Sequence, residues 1–138
     1  MLPPVLNIVG IDHLVLRTSC QERMLDFYQH VLGCSLEREL PEIGLFQLRA
    51  GEALIDVVPV DSELGRAGGG PPRQDGRNLE HFCLTLADLD ERRLLEILAE
   101  HGIYPDEAKE RYGAGGFSKS VYINDPEGNV VELKLQKA

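Results

Sequence analysis

Positive charge is scarce in this chain. Fourteen lysines and arginines stand against 23 aspartates and glutamates, a formal net charge of −9, and no basic run gathers the cations together. Such a balance repels phosphate backbones and anionic lipid, so neither a nucleic-acid nor a membrane partner is expected. Long apolar runs are missing as well; none approaches the roughly 20 residues that cross a bilayer. The opening MLPPVLNIVG has no cation ahead of its apolar residues, and Pro3 and Pro4 interrupt it, so a secretory leader is not expected. Cysteine is sparse: Cys20, Cys34 and Cys83 form neither a CxxC pair nor an even set. They read as small apolar residues of a protein in a reducing, cytoplasmic compartment. What is present is 138 residues, 43% hydrophobic and 27% charged, the size and mixture of one globular domain spanning residues 8–138.

The chain repeats itself once. GIDHLVLR at 10–17 and NLEHFCLT at 78–85 each place an acid and a histidine ahead of strand-forming residues. A helix follows each at a similar distance. The first is predicted to start at Ser19 with Glu22 as its capping-box partner, and the second at Asp88 with Glu91. Gly33 and Gly102 close them in the left-handed conformation that glycine tolerates. Shorter β-type runs follow: 34–40, 43–49 and 53–60 in the first half, and 103–104 (weak), 118–124 and 129–135 in the second. The predicted class is therefore α+β, with two tandem β-α-β-β-β modules forming a curled mixed sheet around a trough. Module 1 covers about 8–60, a connector 61–77, and module 2 about 78–136, with the Gly/Pro-rich stretch 63–77 exposed and mobile.

Strand alternation gives the polar residues meaning. His13, Val15 and Arg17 share one face, His81, Cys83 and Thr85 another, and Glu132 lies opposite Val131 and Leu133. Asp56 sits inside the apolar run ALIDVV, where a buried carboxylate needs a cation or hydrogen bonds. A lone strand histidine is ordinarily structural, and a lone glutamate ordinarily solvated. Histidines at the same register of two repeats change that weighing. His13, His81 and Glu132, with Asp56 as a fourth, form a candidate site for one divalent metal. Their nitrogen and oxygen donors suit zinc, nickel, iron, manganese or cobalt. Tyr28, Phe27 and Phe46 read as core, His30 and His101 as exposed helix residues, and Tyr122 and Phe117 as either pocket lining or core.

DHLVLR at 12–17, LDFYQHVLG at 25–33, EHFCLTL at 80–86 and NDPEGNVVEL at 124–133 resemble the vicinal oxygen chelate superfamily. Within that group of glyoxalases, fosfomycin-resistance proteins and extradiol dioxygenases, glyoxalase I is the nearest likeness. The resemblance implies metal ligands at His13, Asp56, His81 and Glu132, and nickel or zinc for the lyase reaction. It implies isomerisation of a hemithioacetal or related vicinal-oxygen molecule through an enediolate, with Glu132, and Asp56 beside it, moving the proton. Arg17 falls where that enzyme binds a substrate carboxylate, Asp56 stands where it carries glutamate, and Lys119 is a second cation that a carboxylate could use. A homodimer is implied too. The alternatives are an iron-dependent ring-cleaving dioxygenase on the His13, His81 and Glu132 triad, a thiol transferase that inactivates an antibiotic, and a non-catalytic drug-sequestering protein.

Overall fold

The computed structural model describes residues 2–137. Each half builds one four-stranded mixed sheet. In the first, β1 (His13–Thr18), β2 (Ser35–Leu40), β3 (Leu45–Ala50) and β4 (Ala53–Pro59) lie in the order β1-β4-β3-β2. In the second, β5 (Phe82–Leu86), β6 (Lys109–Gly113), β7 (Gly116–Asn124) and β8 (Val130–Leu135) lie in the order β5-β8-β7-β6. β1 is parallel to β4 and β5 to β8, and the other pairings are antiparallel. The β-α-β-β-β repeat is present in both halves, but the two sheets stay separate and unclosed. The two modules and their mixed sheets are those expected from the sequence, with the sheets left open.

The reason lies in the core. Leu16, Met24, Tyr28, Leu48, Ile55 and Val57 of the first half join Leu94, Leu98, Val121, Ile123, Val131 and Leu133 of the second in one buried cluster. The apolar faces merge, so the polar faces carrying histidine and carboxylate remain on different sheets. At about 25 cal/mol per Å² of buried apolar surface, this shared core helps hold the halves together.

Helix α1 (Gln21–Asp26) runs on as a π-helix, Phe27–Val31, and Gly33 ends it at φ +79°. Its expected capping box is absent. Cys20 occupies the N-cap position with no side-chain bond, and the end is satisfied from the other half. Glu127, in the β7–β8 turn, accepts from the Ser19 amide at 2.5 Å, the Ser19 hydroxyl at 3.0 Å and the Thr18 hydroxyl at 2.8 Å. In the same turn Asp125 accepts from the buried Tyr28 hydroxyl at 2.7 Å and from the Glu127 and Asn129 amides. The DPEGN stretch thus fastens module 2 to the helix of module 1. Helix α2 (Glu91–Glu100) caps itself two residues later than expected, Asp90 accepting from the Arg93 amide at 2.8 Å. β6 replaces the weak run expected at 103–104. The connector is partly built, with a 3-10 turn at Gly65–Gly68.

Candidate metal centre

β1 and β4 place the first half-site. Val15 stands beside Asp56 in the parallel ladder and Gln47 stands opposite it in the antiparallel one. His13 is therefore a diagonal neighbour of Asp56, on the outer strand of the sheet. The His13 Nδ1 is 2.7 Å from the Asp12 carboxylate, and this bond, with the charge of Asp56 behind it, raises the imidazole above its ordinary pKa. Asp56 is only 3% exposed, and its carboxylate accepts from the Gln47 amide at 3.2 and 3.3 Å. The apolar run around it demands partners for such a group, and a single neutral amide is a thin supply.

β5 and β8 repeat the arrangement with more company. His81, just ahead of β5, has Nδ1 2.5 Å from the Glu80 carboxylate, and its Nε2 lies 3.2 Å from Glu132 Oε1. Glu132 is 7% exposed, and its Oε2 accepts from the Ser120 hydroxyl at 2.7 Å. Tyr122, opposite Glu132 in the ladder, sets its ring edge-to-face against His81 at 5.3 Å, and the Arg111 guanidinium lies 4.5 Å above that ring. Burial and the Glu132 carboxylate hold the Tyr122 phenol above its usual range. The buried Lys134 amine donates to the Arg111 carbonyl at 2.5 Å and the Gly116 carbonyl at 2.7 Å. A cavity of about 800 Å³ opens over this face, lined by His81, Cys83, Ser118, Glu132 and Lys134 among others.

The four sequence-derived ligands thus come together in pairs. His13 lies with Asp56 and His81 with Glu132, and the cavity over the second pair includes neither member of the first. Among the described residues no three histidine, cysteine, aspartate or glutamate side chains gather around one point. Arg17 is engaged elsewhere. Its guanidinium donates to the Gly65 carbonyl at 2.8 Å, the Gly70 carbonyl at 3.0 Å and the Gly69 carbonyl, pinning the connector. Lys119 is held by Glu91 at 2.9 Å.

Sequence reasoning passed over Asp12 and Glu80. Each precedes its histidine and binds Nδ1, which turns Nε2 away from that acid, the arrangement by which an outer-shell carboxylate would orient an imidazole toward a metal. The signal was in plain view as an acid-His dipeptide in each repeat. Ser120 and Arg111 carried no such signal, since only the β6–β7–β8 register brings them to Glu132.

A family model described as the Glyoxalase/Bleomycin resistance protein/Dioxygenase superfamily matches residues 10–133. Among solved structures, an integron cassette protein from the mobile metagenome of V. pseudocholerae superposes with a TM-score of 0.76 at 26% identity, covering 97% of this chain and 99% of its own. A virulence protein from Salmonella typhimurium gives a TM-score of 0.73 at 27% identity, covering 96% and 100%. A lactoylglutathione lyase from Agrobacterium tumefaciens gives a TM-score of 0.63 at 19% identity, covering 93% and 94%, a likeness of fold. With a family match over most of its length and two β-α-β-β-β modules in place, the chain belongs to the glyoxalase/bleomycin resistance/dioxygenase superfamily.

Proposed function

We propose that the protein is a divalent-metal-dependent lyase/isomerase of the glyoxalase I type, acting on a hemithioacetal or related small molecule with neighbouring oxygens. Its working unit is a homodimer in which His13 and Asp56 of one protomer face His81 and Glu132 of the partner subunit. The observation that carries this reading is the duplicated half-site: in each, an imidazole has Nδ1 tied to the preceding acid, and a buried carboxylate meets no lysine or arginine among the described residues. Two imidazole nitrogens and two carboxylates, with no thiolate, fit zinc, nickel, cobalt, manganese or iron, with nickel or zinc suited to the lyase. Three unpaired cysteines fit a reducing cytoplasm.

A cation held by this set would polarise two adjacent substrate oxygens and stabilise the negative charge that develops on them. Glu132 takes the proton from one carbon and returns it to its neighbour, an isomerisation that gains and loses no atoms. The Ser120 hydroxyl holds Oε2, so the proton travels on Oε1, the oxygen turned toward His81. Asp56 completes the ligand set or shares the transfer. Arg17 and Lys119, the cations a glutathione carboxylate would use, are occupied by connector carbonyls and by Glu91. The reading therefore rests on vicinal oxygens and not on glutathione itself.

Metal analysis of the purified protein, followed by reconstitution of the apo form with nickel, zinc, manganese or iron, tests it. Hemithioacetal isomerisation restored by nickel or zinc is the expected result. Oxygen uptake with catechols under iron alone would replace this reading with the dioxygenase. Metal-free protein that binds drugs and turns nothing over would replace it with the sequestering protein.

A further inference from the structure

Two apolar features of the chain have no use within one protomer. The first is the arm ahead of β1. Leu2, Val5, Leu6, Ile8, Val9 and Ile11 are 79–97% exposed. From Leu2 to Ile11 the arm carries no charge in a chain that is 27% charged. None of the loop and turn backbone bonds among the described residues involves residues 2–11, and the chain is first tied down where Asp12 accepts from the Leu54 amide at 3.0 Å. The second is the tip of the β6–β7 hairpin. Tyr112 and Phe117, paired across the ladder with rings 5.0 Å apart edge-to-face, are 75% and 59% exposed.

We propose that the arm of one protomer packs on the Tyr112–Phe117 hairpin of a second copy of this chain, clasping the dimer. The inference rests on the shared metal site. If one ion holds His13 of one chain and His81 of the other, Asp12, where the arm begins, lies beside the cavity whose rim includes Tyr112. Ten extended residues reach about 33 Å, ample to cross that rim. The six exposed side chains leave on the order of 900 Å² uncovered, near the ~800 Å² that one partner contributes to a standard interface, and two-fold symmetry makes the contact twice. Two protomers at −9 each repel one another, and an uncharged arm meeting an aromatic pair supplies attraction that electrostatics does not. A membrane is the poorer occupant: residues 2–11 carry no lysine or arginine to meet anionic headgroups.

Sedimentation equilibrium on the full chain, a deletion of residues 2–9, and a Tyr112→Ser/Phe117→Ser variant tests the clasp. The arm lies outside the core, so circular dichroism of the deletion should match the full chain. Either change should raise the dimer Kd at least tenfold, and combining them should add little, because both remove the same contact. In a cysteine-free background, Val5→Cys with Phe117→Cys should yield a disulfide-linked dimer. An unchanged Kd after the deletion would overturn the clasp, as would multiplicative effects of the two changes. So would a monomeric chain whose arm carries it onto phosphatidylcholine vesicles. His13→Ala separates this inference from the metal reading: it should lower metal content, and in a chelator, where no bridging ion contributes, it should leave the dimer Kd as it is for the full chain, whereas the arm deletion should raise Kd there too.

Discussion

The two half-sites share a plan and differ in their furniture. Around Asp56 the neighbouring positions are apolar or neutral: Val15 beside it, Gln47 opposite, Val58 two residues on. Around Glu132 the corresponding residues are Cys83, Tyr122 and Lys134, with Ser120 and Arg111 added. Glu132 touches its histidine at 3.2 Å, whereas His13 is bonded to Asp12 and senses Asp56 through its charge. On the proposed function, the first half would hold the ion and the second would both hold it and move the proton. A duplicated module could divide labour in this way if a single proton must be moved and only one carboxylate is placed to move it.

The strongest attempt to break that comparison mixes crippled chains. His13→Ala and His81→Ala should each lower kcat/KM at least a thousandfold. Co-expressed, they should regain about a quarter of wild-type activity, because half the dimers are mixed and each carries one intact site of two. A site built within one chain would regain nothing. Glu132→Gln and Asp56→Asn sharpen the division of labour. The first should cut kcat by about a thousandfold or more while metal content falls less. The second should act chiefly on metal affinity, seen by competition with a chromophoric chelator. Equal kcat losses with equal metal contents would erase the distinction between the halves.

The outer shell comes next in size. Asp12→Asn and Glu80→Gln should each weaken metal binding by about 10–100-fold and leave thermal stability alone. The helix ends test the halves from another side. Glu127→Ala strips the cap from α1 and the tie between modules together, and should cost about 1–2 kcal/mol; Asp90→Ala removes only a local cap and should cost about 1 kcal/mol or less by urea titration.

That difference marks where the sequence ceased to be legible. The repeat, the register of His13 and His81, the glycines ending both helices and the burial of Asp56 were all readable, because each follows from local pattern and period. Ser19 with Glu22 looked like a capping box because local spacing is all that a sequence offers; its real partner, Glu127, lies 108 residues away. β6, KERYG, escaped because an exposed edge strand needs no apolar alternation and is kept soluble by its charges. How the two polar faces are disposed was illegible for a deeper reason. Alternation shows that a strand has a polar face, but nothing along one chain tells whether two such faces meet each other or turn outward toward another molecule.

Cys83 gives the smallest effect and a direct comparison with Val15, its counterpart beside the other carboxylate. Burial, and then the charge of Glu132, push the thiol up to about 11, with Lys134 opposing. A thiol so far above the ordinary cysteine range leaves about a hundredfold less thiolate at neutral pH, and the higher basicity of what remains recovers part of the rate. Iodoacetamide at pH 7 should therefore modify Cys83, although it is exposed, about tenfold more slowly than a free thiol, as read by peptide mapping. Glu132→Gln removes the nearby negative charge and should speed the reaction, while Asp56→Asn should have the smaller effect. Equal acceleration by both would mean that Cys83 senses the two carboxylates alike, and the contrast between the half-sites would then be lost.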